Sequence, residues 1–126
     1  MFAMIIRETC GPDVFEYTEL ETPAPAAGEV LIRVAYAGVN PADWKNRQGY
    51  LEQYRTYIFP YVIGFDAAGV VAATGEGVTQ FAEGDRVFTP TNHGQGGQGS
   101  YAEYTLAAVD RVARVPAGLD LKEAAA

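Results

Sequence analysis

Residues 66–73 of the chain, Asp-Ala-Ala-Gly-Val-Val-Ala-Ala, form a run of small and β-branched side chains that favours a buried β-strand. A glycine inside such a run, here Gly69, is typical of a place where another backbone approaches closely. Turn-forming residues follow at 75–77 (Gly-Glu-Gly) and at 83–85 (Glu-Gly-Asp), and the second turn leads into a short apolar run at 86–88. This part of the chain therefore predicts two strands joined by turns.

Strand patterns of the same kind occur along the rest of the chain. The clearest covers residues 29–38, where four alternating side chains are predicted to share one buried face: Val30, Ile32, Val34 and Tyr36. Further strands are predicted at 4–7, 14–20, 100–106 and 112–115. Many short strands separated by turns are typical of a β-barrel or sandwich rather than a βαβ unit. A closed barrel is favoured because closure removes exposed sheet edges.

Two short helices are predicted from their capping residues. Asn40 as N-cap, Pro41 at the first helical position and Asp43 three residues after the cap begin a helix that ends before Gly49. Asp120 and Glu123 have the same spacing, but a helix confined to the last seven residues is too short to be stable alone. We therefore expect residues 1–119 to form one domain and 120–126 to begin a helix that connects it to an absent second domain. The alternative is a frayed tail.

Composition and charge exclude several classes of protein. Of the 126 residues, 48% are hydrophobic and 20% are charged, which is ordinary for a globular domain. The formal net charge of −7 disfavours nucleic acid as a partner, since an acidic surface repels phosphate. The absence of a long apolar run argues against a membrane span. A secretory leader requires a basic residue before its apolar run, and none precedes the short apolar run at the start of this chain. A single cysteine permits no internal disulfide, so a cytoplasmic location is expected.

The reactive residues are few. The chain has one histidine, His93, one cysteine, Cys10, and one serine, Ser100, so cysteine and histidine alone cannot complete a zinc site. Ser100 lacks the Gly-x-Ser-x-Gly setting of a hydrolase nucleophile. Glycines at 94, 96 and 99 match Gly-x-Gly-x-x-Gly, but a predicted strand follows where dinucleotide binding requires a helix. We therefore expect a hairpin loop there, with His93 solvated beside it.

Polar side chains gather around the first predicted helix. Asn40, Asp43, Lys45 and Arg47 follow a buried strand, and tyrosines and phenylalanines follow the helix at positions 50, 54, 57, 59 and 61. Polar groups at a strand end beside aromatic rings predict a pocket for a flat ligand. The alternative is a capped surface helix whose Asp43 offsets the helix dipole and whose cations face water.

Four stretches resemble one known family. They are Gly-Glu-Val-Leu-Ile-Arg-Val at 28–34, Gly-Val-Asn-Pro-x-Asp-x-Lys-x-Arg-x-Gly at 38–49, the segment 64–87 that includes Gly-Phe-Asp at 64–66, and Gly-Ser-Tyr-Ala-Glu-Tyr at 99–104. In this order they resemble the N-terminal GroES-like domain of the medium-chain dehydrogenase/reductase superfamily, in its zinc-independent quinone oxidoreductase branch. The resemblance implies a mainly β fold, a partly open β-barrel with one or two short helices.

The resemblance also implies a reaction and a cofactor. Members bind NADPH in a following Rossmann domain and pass hydride to a quinone or an α,β-unsaturated carbonyl compound, while the barrel forms one wall of the cleft. It implies that Asn40 and Lys45 act in catalysis and that the cleft includes Asp43, Tyr50, Tyr54, Phe65 and Asp66. Zinc-dependent relatives carry a cysteine where this chain has Asn40 and a histidine where it has Phe65, so no zinc is expected.

Other functions stay open at this point. The chain could be a stand-alone GroES-like module that binds a ligand or partner without catalysis, and a zinc-type alcohol dehydrogenase is disfavoured by the two missing ligands. The expected partner of the whole protein is a small quinone or enone, with neither nucleic acid nor a membrane, and the resemblance allows a homodimer. The 126-residue chain by itself is expected to be inactive.

Overall fold

A computed structural model describes residues 1–91, 93 and 96–126. Within them lie eight strands and two α-helices. The strands are β1 (Phe2–Ile6), β2 (Glu16–Glu19), β3 (Glu29–Ala37), β4 (Tyr61–Val62), β5 (Asp66–Thr74), β6 (Arg86–Pro90), β7 (Tyr104–Ala108) and β8 (Ala113–Arg114). The helices are α1 (Pro41–Arg47) and α2 (Leu121–Ala124), and short 3-10 turns cover Pro12–Val14 and Val109–Arg111.

The strands form two antiparallel sheets. The larger has five strands in the order β7-β3-β5-β6-β8, and the smaller has three in the order β2-β1-β4. A bridge between Ala3 of β1 and Ala102, just before β7, connects them. The closed barrel favoured above is therefore wrong, because the described residues leave both sheets with free edges. The mainly β, partly open GroES-like fold is confirmed.

The central pair of strands, β3 and β5, brings the chain together at one end of the larger sheet. Ala37 pairs with Ala67, and Asp66 pairs with Pro90, so β3 and β6 end where β5 begins. Gly69 of β5 makes the predicted close approach, since a Cβ added there would lie 2.1 Å from the backbone oxygen of Arg33. Only a residue without a side chain allows these two strands to pack so closely.

The hydrophobic core lies against the inner faces of both sheets. Val30 and Ile32 pack with residues of β5, β6 and β7, and a second cluster joins β1 to β4. The predicted face of β3 is confirmed at Val30 and Ile32, which are fully buried, but it is wrong at Tyr36, which is 46% exposed. The reason is a register irregularity between Val34 and Tyr36, which breaks the alternation near the end of the strand.

Several element boundaries differ from the expectations above. The strand expected at 14–20 starts at Glu16, because Val14 completes a 3-10 turn that begins at Pro12. The strand expected at 100–106 is regular only from Tyr104. The second helix starts as predicted, with the backbone N–H of Lys122 donating to Oδ1 of Asp120 at 2.8 Å. No helix in the described part of the chain is long and apolar enough to cross a membrane.

Candidate functional site

The first turn of α1 lies where β3 ends. Asn40 caps the helix, and its backbone N–H donates to Oδ2 of Asp43 at 2.7 Å, as the predicted capping arrangement requires. Pro41 occupies the first helical position, and Gly49, at a φ of +82°, follows the end of the helix in the left-handed region that suits a glycine. The local sequence therefore determines where the helix starts and ends.

The carboxylate of Asp43 joins three elements. It is only 3% exposed, its Oδ1 accepts the backbone N–H of Phe65 at 3.1 Å, and its Oδ2 also accepts the hydroxyl of Tyr101 at 3.0 Å. Burial raises the pKa of Asp43 above its usual value, the nearby charge of Asp66 adds to the rise, and these hydrogen bonds oppose it. Burial likewise raises the pKa of Tyr101, so its hydroxyl stays a donor at neutral pH. Asp43 therefore acts as an anchor between α1, the start of β5 and the segment before β7.

Asn40 and Asp66 form the polar end of this site. Nδ2 of Asn40 donates to Oδ2 of Asp66 at 2.7 Å, and both side chains are half-buried. The second N–H of the amide has no acceptor among the described residues. Asp66 thereby fixes the orientation of an amide that can still donate one hydrogen bond to a ligand.

The remaining predicted site residues lie on the exposed side of α1 and in the segment after it. Lys45 is exposed, with its Nζ 5.7 Å from the ring centroid of Trp44, and the ring of Tyr50 packs edge-on against Trp44 at 5.9 Å. Tyr54 is 75% exposed. The structure therefore brings Asn40, Asp43, Phe65 and Asp66 together, while the side chains of Lys45, Tyr50 and Tyr54 form no hydrogen bond or ring contact with them.

His93 lies in the interior, and the expectation of a solvated histidine is wrong. Its side chain is 1% exposed and its ring stacks on that of Tyr61 at a centroid distance of 5.1 Å. Nδ1 lies 2.7 Å from the hydroxyl of Tyr61, and Nε2 is hydrogen-bonded to the side-chain amide of Asn46. Burial, with a smaller contribution from the charge of Arg55, lowers the pKa of His93 to about 4, so the imidazole is neutral at pH 7.

The contacts of His93 connect α1 to the rest of the site. The ring of Phe65 packs edge-on against the imidazole at 4.3 Å, and Asn46 also accepts the hydroxyl of Tyr57 at 2.8 Å. We call His93, Asn46, Tyr57, Tyr61 and Phe65 the His93 cluster. The sequence analysis missed it, although one signal was available: Asn46 is one helical turn after Asp43 and so shares its buried face.

The glycine-rich segment has no helix after it. Gly94 and Gln95 lie outside the described residues, while a Cβ added at Gly99 would lie 2.4 Å from the backbone carbon of Ile63. The chain then pairs with β1 and continues into β7. A glycine-rich segment followed by a strand differs from a dinucleotide-binding turn, which is followed by a helix.

Other chemistries find little support in the described part of the chain. Among residues 1–91, 93 and 96–126, no three His, Cys, Asp or Glu residues lie close enough together to hold a metal ion. The buried hydroxyl of Ser100 has no hydrogen-bond partner there, so it is not paired with His93 as a hydrolase serine would be.

Comparison with known proteins places the chain in a family. Residues 26–117 match the model of the alcohol dehydrogenase GroES-like domain, and the chain belongs to this family, as the N-terminal domain type of the medium-chain dehydrogenase/reductase superfamily. It is 41% identical over 127 residues to a quinone oxidoreductase of Sus scrofa and 34% identical over 123 residues to a 2-haloacrylate reductase of a Burkholderia species. These alignments cover 100% and 98% of this chain but only 37% and 36% of the relatives. The chain thus spans little more than a third of their length.

Solved structures agree with this assignment. A mycobacterial protein solved as a complex with NADPH matches 99% of this chain at 35% identity, with a TM-score of 0.85 and 35% of its own length covered. A quinone oxidoreductase of Pseudomonas syringae matches 98% of this chain at 30% identity, with a TM-score of 0.88 and 36% of its own length covered. The resemblance inferred from the four sequence stretches is confirmed.

Proposed function

We propose that this chain is the N-terminal substrate domain of an oxidoreductase that uses NADPH, without zinc, to reduce quinones or α,β-unsaturated carbonyl compounds. Residues 1–119 are the domain, and residues 120–126 begin the helix to a cofactor-binding domain. The observation that carries the proposal is the Asn40–Asp66 pair, an oriented amide at the position where zinc-dependent relatives have a cysteine. The similarity to quinone oxidoreductases over the whole chain supports it.

Asn40 and Phe65, which stand where zinc-dependent relatives have two zinc ligands, are poor ligands for zinc. Asn40 turns an amide N–H toward Asp66, and Phe65, in place of the histidine ligand, has no lone pair to donate. Asp66 could contribute a carboxylate oxygen, but it already accepts that N–H. This donor set favours a metal-free reaction in which protein hydrogen bonds stabilise the charge that develops on the substrate.

NADPH supplies the hydride, and most of its contacts belong to the following domain, because the glycine-rich segment here opens no helix to cradle a pyrophosphate. Asn40 and Asp66, the polar end of this site, fit the remaining task, which is to stabilise the negative charge on the substrate. The free N–H of the Asn40 amide donates to the substrate oxygen as negative charge grows there, and Asp66 keeps the amide oriented. Asp43 holds the backbone of Asn40 and Phe65 in place.

Three exposed residues complete the proposed cleft. Lys45 is the second proposed catalytic group, a cation that reaches toward the substrate from the outer side of α1. Tyr50 and Tyr54 provide rings beside a flat substrate, and their large exposed areas leave them free to cover it. A cytoplasmic location, a homodimer and the lack of activity of this chain alone belong to the same proposal.

The proposal is tested with the whole protein encoded by the parent gene. We expect NADPH oxidation with 1,4-benzoquinone or with an enone, and no loss of activity on treatment with a metal chelator. Asn40→Ala should lower kcat by about 100-fold, which is typical for loss of one donor to a developing oxyanion. The control is Val39→Ala, since Val39 is 85% exposed and its side chain takes no part in the site.

Three outcomes would contradict the proposal: no reduction of either substrate class, activity that is lost with zinc removal, or an Asn40→Ala enzyme as active as the wild type. If neither substrate class is reduced but a ligand binds the 126-residue chain saturably, the results would instead favour a binding module without catalysis.

A further inference from the structure

Arg55, which no prediction above includes, lies against the candidate site. It belongs to the segment between α1 and β4 and is half-buried. Its guanidinium carbon lies 4.9 Å from the ring centroid of Phe65, and one of its terminal nitrogens donates to the backbone oxygen of His93 at 3.1 Å. These two contacts hold the guanidinium in a defined position.

The charge of Arg55 has no counterion in the described part of the chain. The salt bridges found there join Arg7 to Glu16 and Arg114 to Asp85, although the chain carries 16 acidic residues against 9 basic ones. A guanidinium has five N–H donors, and only one of those of Arg55 donates a hydrogen bond to a residue that the structure describes. The charge of Arg55 and its remaining N–H groups are therefore available to a ligand oxygen anion.

Arg55 and Asn40 are anchored to consecutive residues. Arg55 packs on the ring of Phe65, and the Asn40 amide is bonded to Asp66. The backbone N–H of Phe65 is in turn held by Asp43. Two consecutive residues therefore hold one neutral donor, the Asn40 amide, and one fixed cation, the Arg55 guanidinium.

We propose that Arg55 binds a carboxylate carried by the substrate, so that the site prefers small unsaturated acids over their neutral counterparts. This inference rests on the proposed function and narrows its substrate class. The planar guanidinium matches the two oxygens of a carboxylate in a bidentate pair, which a lysine at the same place could not form. The Asn40 amide is left for the second oxygen-containing group of the substrate.

Binding is tested by NMR on the ¹⁵N-labelled 126-residue chain. Propionate and propionamide are the probes, because they differ in charge but hardly in size and, being saturated, cannot alkylate the exposed Cys10. At constant ionic strength, propionate should cause saturable shifts of the Arg55 Nε–H and the backbone N–H groups of Phe65 and His93. Propionamide should bind roughly tenfold more weakly or not at all, as expected for loss of a charge-assisted pair.

Two variants of Arg55 and one control accompany this titration. Arg55→Gln should abolish the response to propionate, and Arg55→Lys should weaken it while keeping the charge. The matched control is Arg47→Gln, because Arg47 also packs on a ring, that of Phe15 at 5.6 Å, and donates to a backbone oxygen, that of Cys10. This control should bind propionate like the wild type. The spectrum of each variant reports directly whether it is folded.

Kinetics of the whole protein separate this inference from the proposed function. For crotonate, Arg55→Gln should lower kcat/KM by about 30-fold, mainly through KM, while for crotonamide the change should stay under about threefold. The inference is wrong if propionate and propionamide shift the same resonances equally, if Arg55→Gln binds propionate normally, or if both crotonyl substrates lose activity alike. A protein that oxidises no NADPH but whose Arg55 binds propionate would overturn the proposed function and leave the carboxylate site standing.

Discussion

The side-chain amide of Asn40 donates to the carboxylate of Asp66 across 2.7 Å, although 26 positions separate the two residues in the chain. Asn40 caps α1, and Asp66 is the first residue of β5. One hydrogen bond to a carboxylate therefore connects the start of the helix to the start of the central strand, and it also orients the donor proposed to meet the substrate.

The strength of this bond is measurable with a double-mutant cycle. Asn40→Ala, Asp66→Ala and the double variant should give a coupling free energy of about 1.5–3 kcal/mol in urea unfolding, as for a hydrogen bond to a charged group. The cycle is needed because Asn40→Ala also removes the helix cap. A parallel cycle of Asn40→Ala with Asp110→Ala, an exposed residue, should show no coupling; equal values in both cycles would mean that the Asn40–Asp66 bond contributes nothing.

Asp43→Ala should be strongly destabilising, because it leaves two partly buried backbone N–H groups and the hydroxyl of Tyr101 without their acceptor. We expect a loss of about 3 kcal/mol in the free energy of unfolding, measured with urea. Asp13→Ala is the control, since Asp13 is exposed and should change stability by less than about 0.5 kcal/mol. Similar losses in the two variants would show that Asp43 is not the anchor described here.

Gly64→Ala should destabilise the chain more than Gly77→Ala, although both glycines have positive φ, +120° and +79°. A Cβ at Gly64 would lie 2.3 Å from Oγ and 2.8 Å from the backbone nitrogen of Ser100, whereas one at Gly77 meets nothing within 4 Å. Backbone strain alone costs about 1 kcal/mol, and the collision should add about 2 kcal/mol at Gly64. Equal melting temperatures for the two variants would contradict this packing.

His93 should make stability fall as the solution becomes acidic. Its folded pKa of about 4 lies below the value of 6.5 for an unperturbed histidine, so the unfolded chain takes up a proton first as the pH falls through 6.5. Stability from the neutral imidazole is complete above pH 6.5 and is lost as the pH falls toward 4. Between pH 7 and pH 5 the loss should be about 2 kcal/mol.

The measurement is urea unfolding at both pH values for the wild type and for His93→Gln. The variant should lose less stability over this interval, which separates His93 from the carboxylates that also titrate. Because the chain has one histidine, its ring proton resonance can be followed without assignment. A midpoint near pH 6.5 for that resonance would show that the imidazole is not buried as described.

Lys45→Met in the whole protein tests the second proposed catalytic group. Loss of a cation that meets the developing charge should lower kcat by about tenfold, or about 1.4 kcal/mol. The control is Lys122→Met, which changes the only other lysine in the sequence. A catalytic role for Lys45 requires its ammonium to leave its place beside the Trp44 ring. Unchanged turnover in Lys45→Met would remove Lys45 from the mechanism.

The features that sequence analysis predicted well depend on neighbouring residues. The start of α1 at Asn40, the cap at Asp120 and the close approach at Gly69 each follow from a local pattern and are confirmed. The family resemblance likewise comes from short stretches with defined spacing. Local patterns are sufficient here because capping and turn formation involve residues only a few positions apart.

The features that it missed depend on residues far apart in the chain. His93 is buried because Asn46 and Tyr61, 47 and 32 positions away, supply its hydrogen bonds. The separation of the strands into two sheets depends on long-range pairing such as that between Ala3 and Ala102. Arg55 carried no motif at all, since only the fold places it on Phe65.

Trp44 is the sole tryptophan of the chain, it is 43% exposed, and it lies on α1 between Asp43 and Lys45. Its indole fluorescence therefore comes from one place, the helix that carries the proposed catalytic residues. Quenching or a spectral shift on adding a quinone would signal occupancy next to that helix, without a label and before any turnover assay.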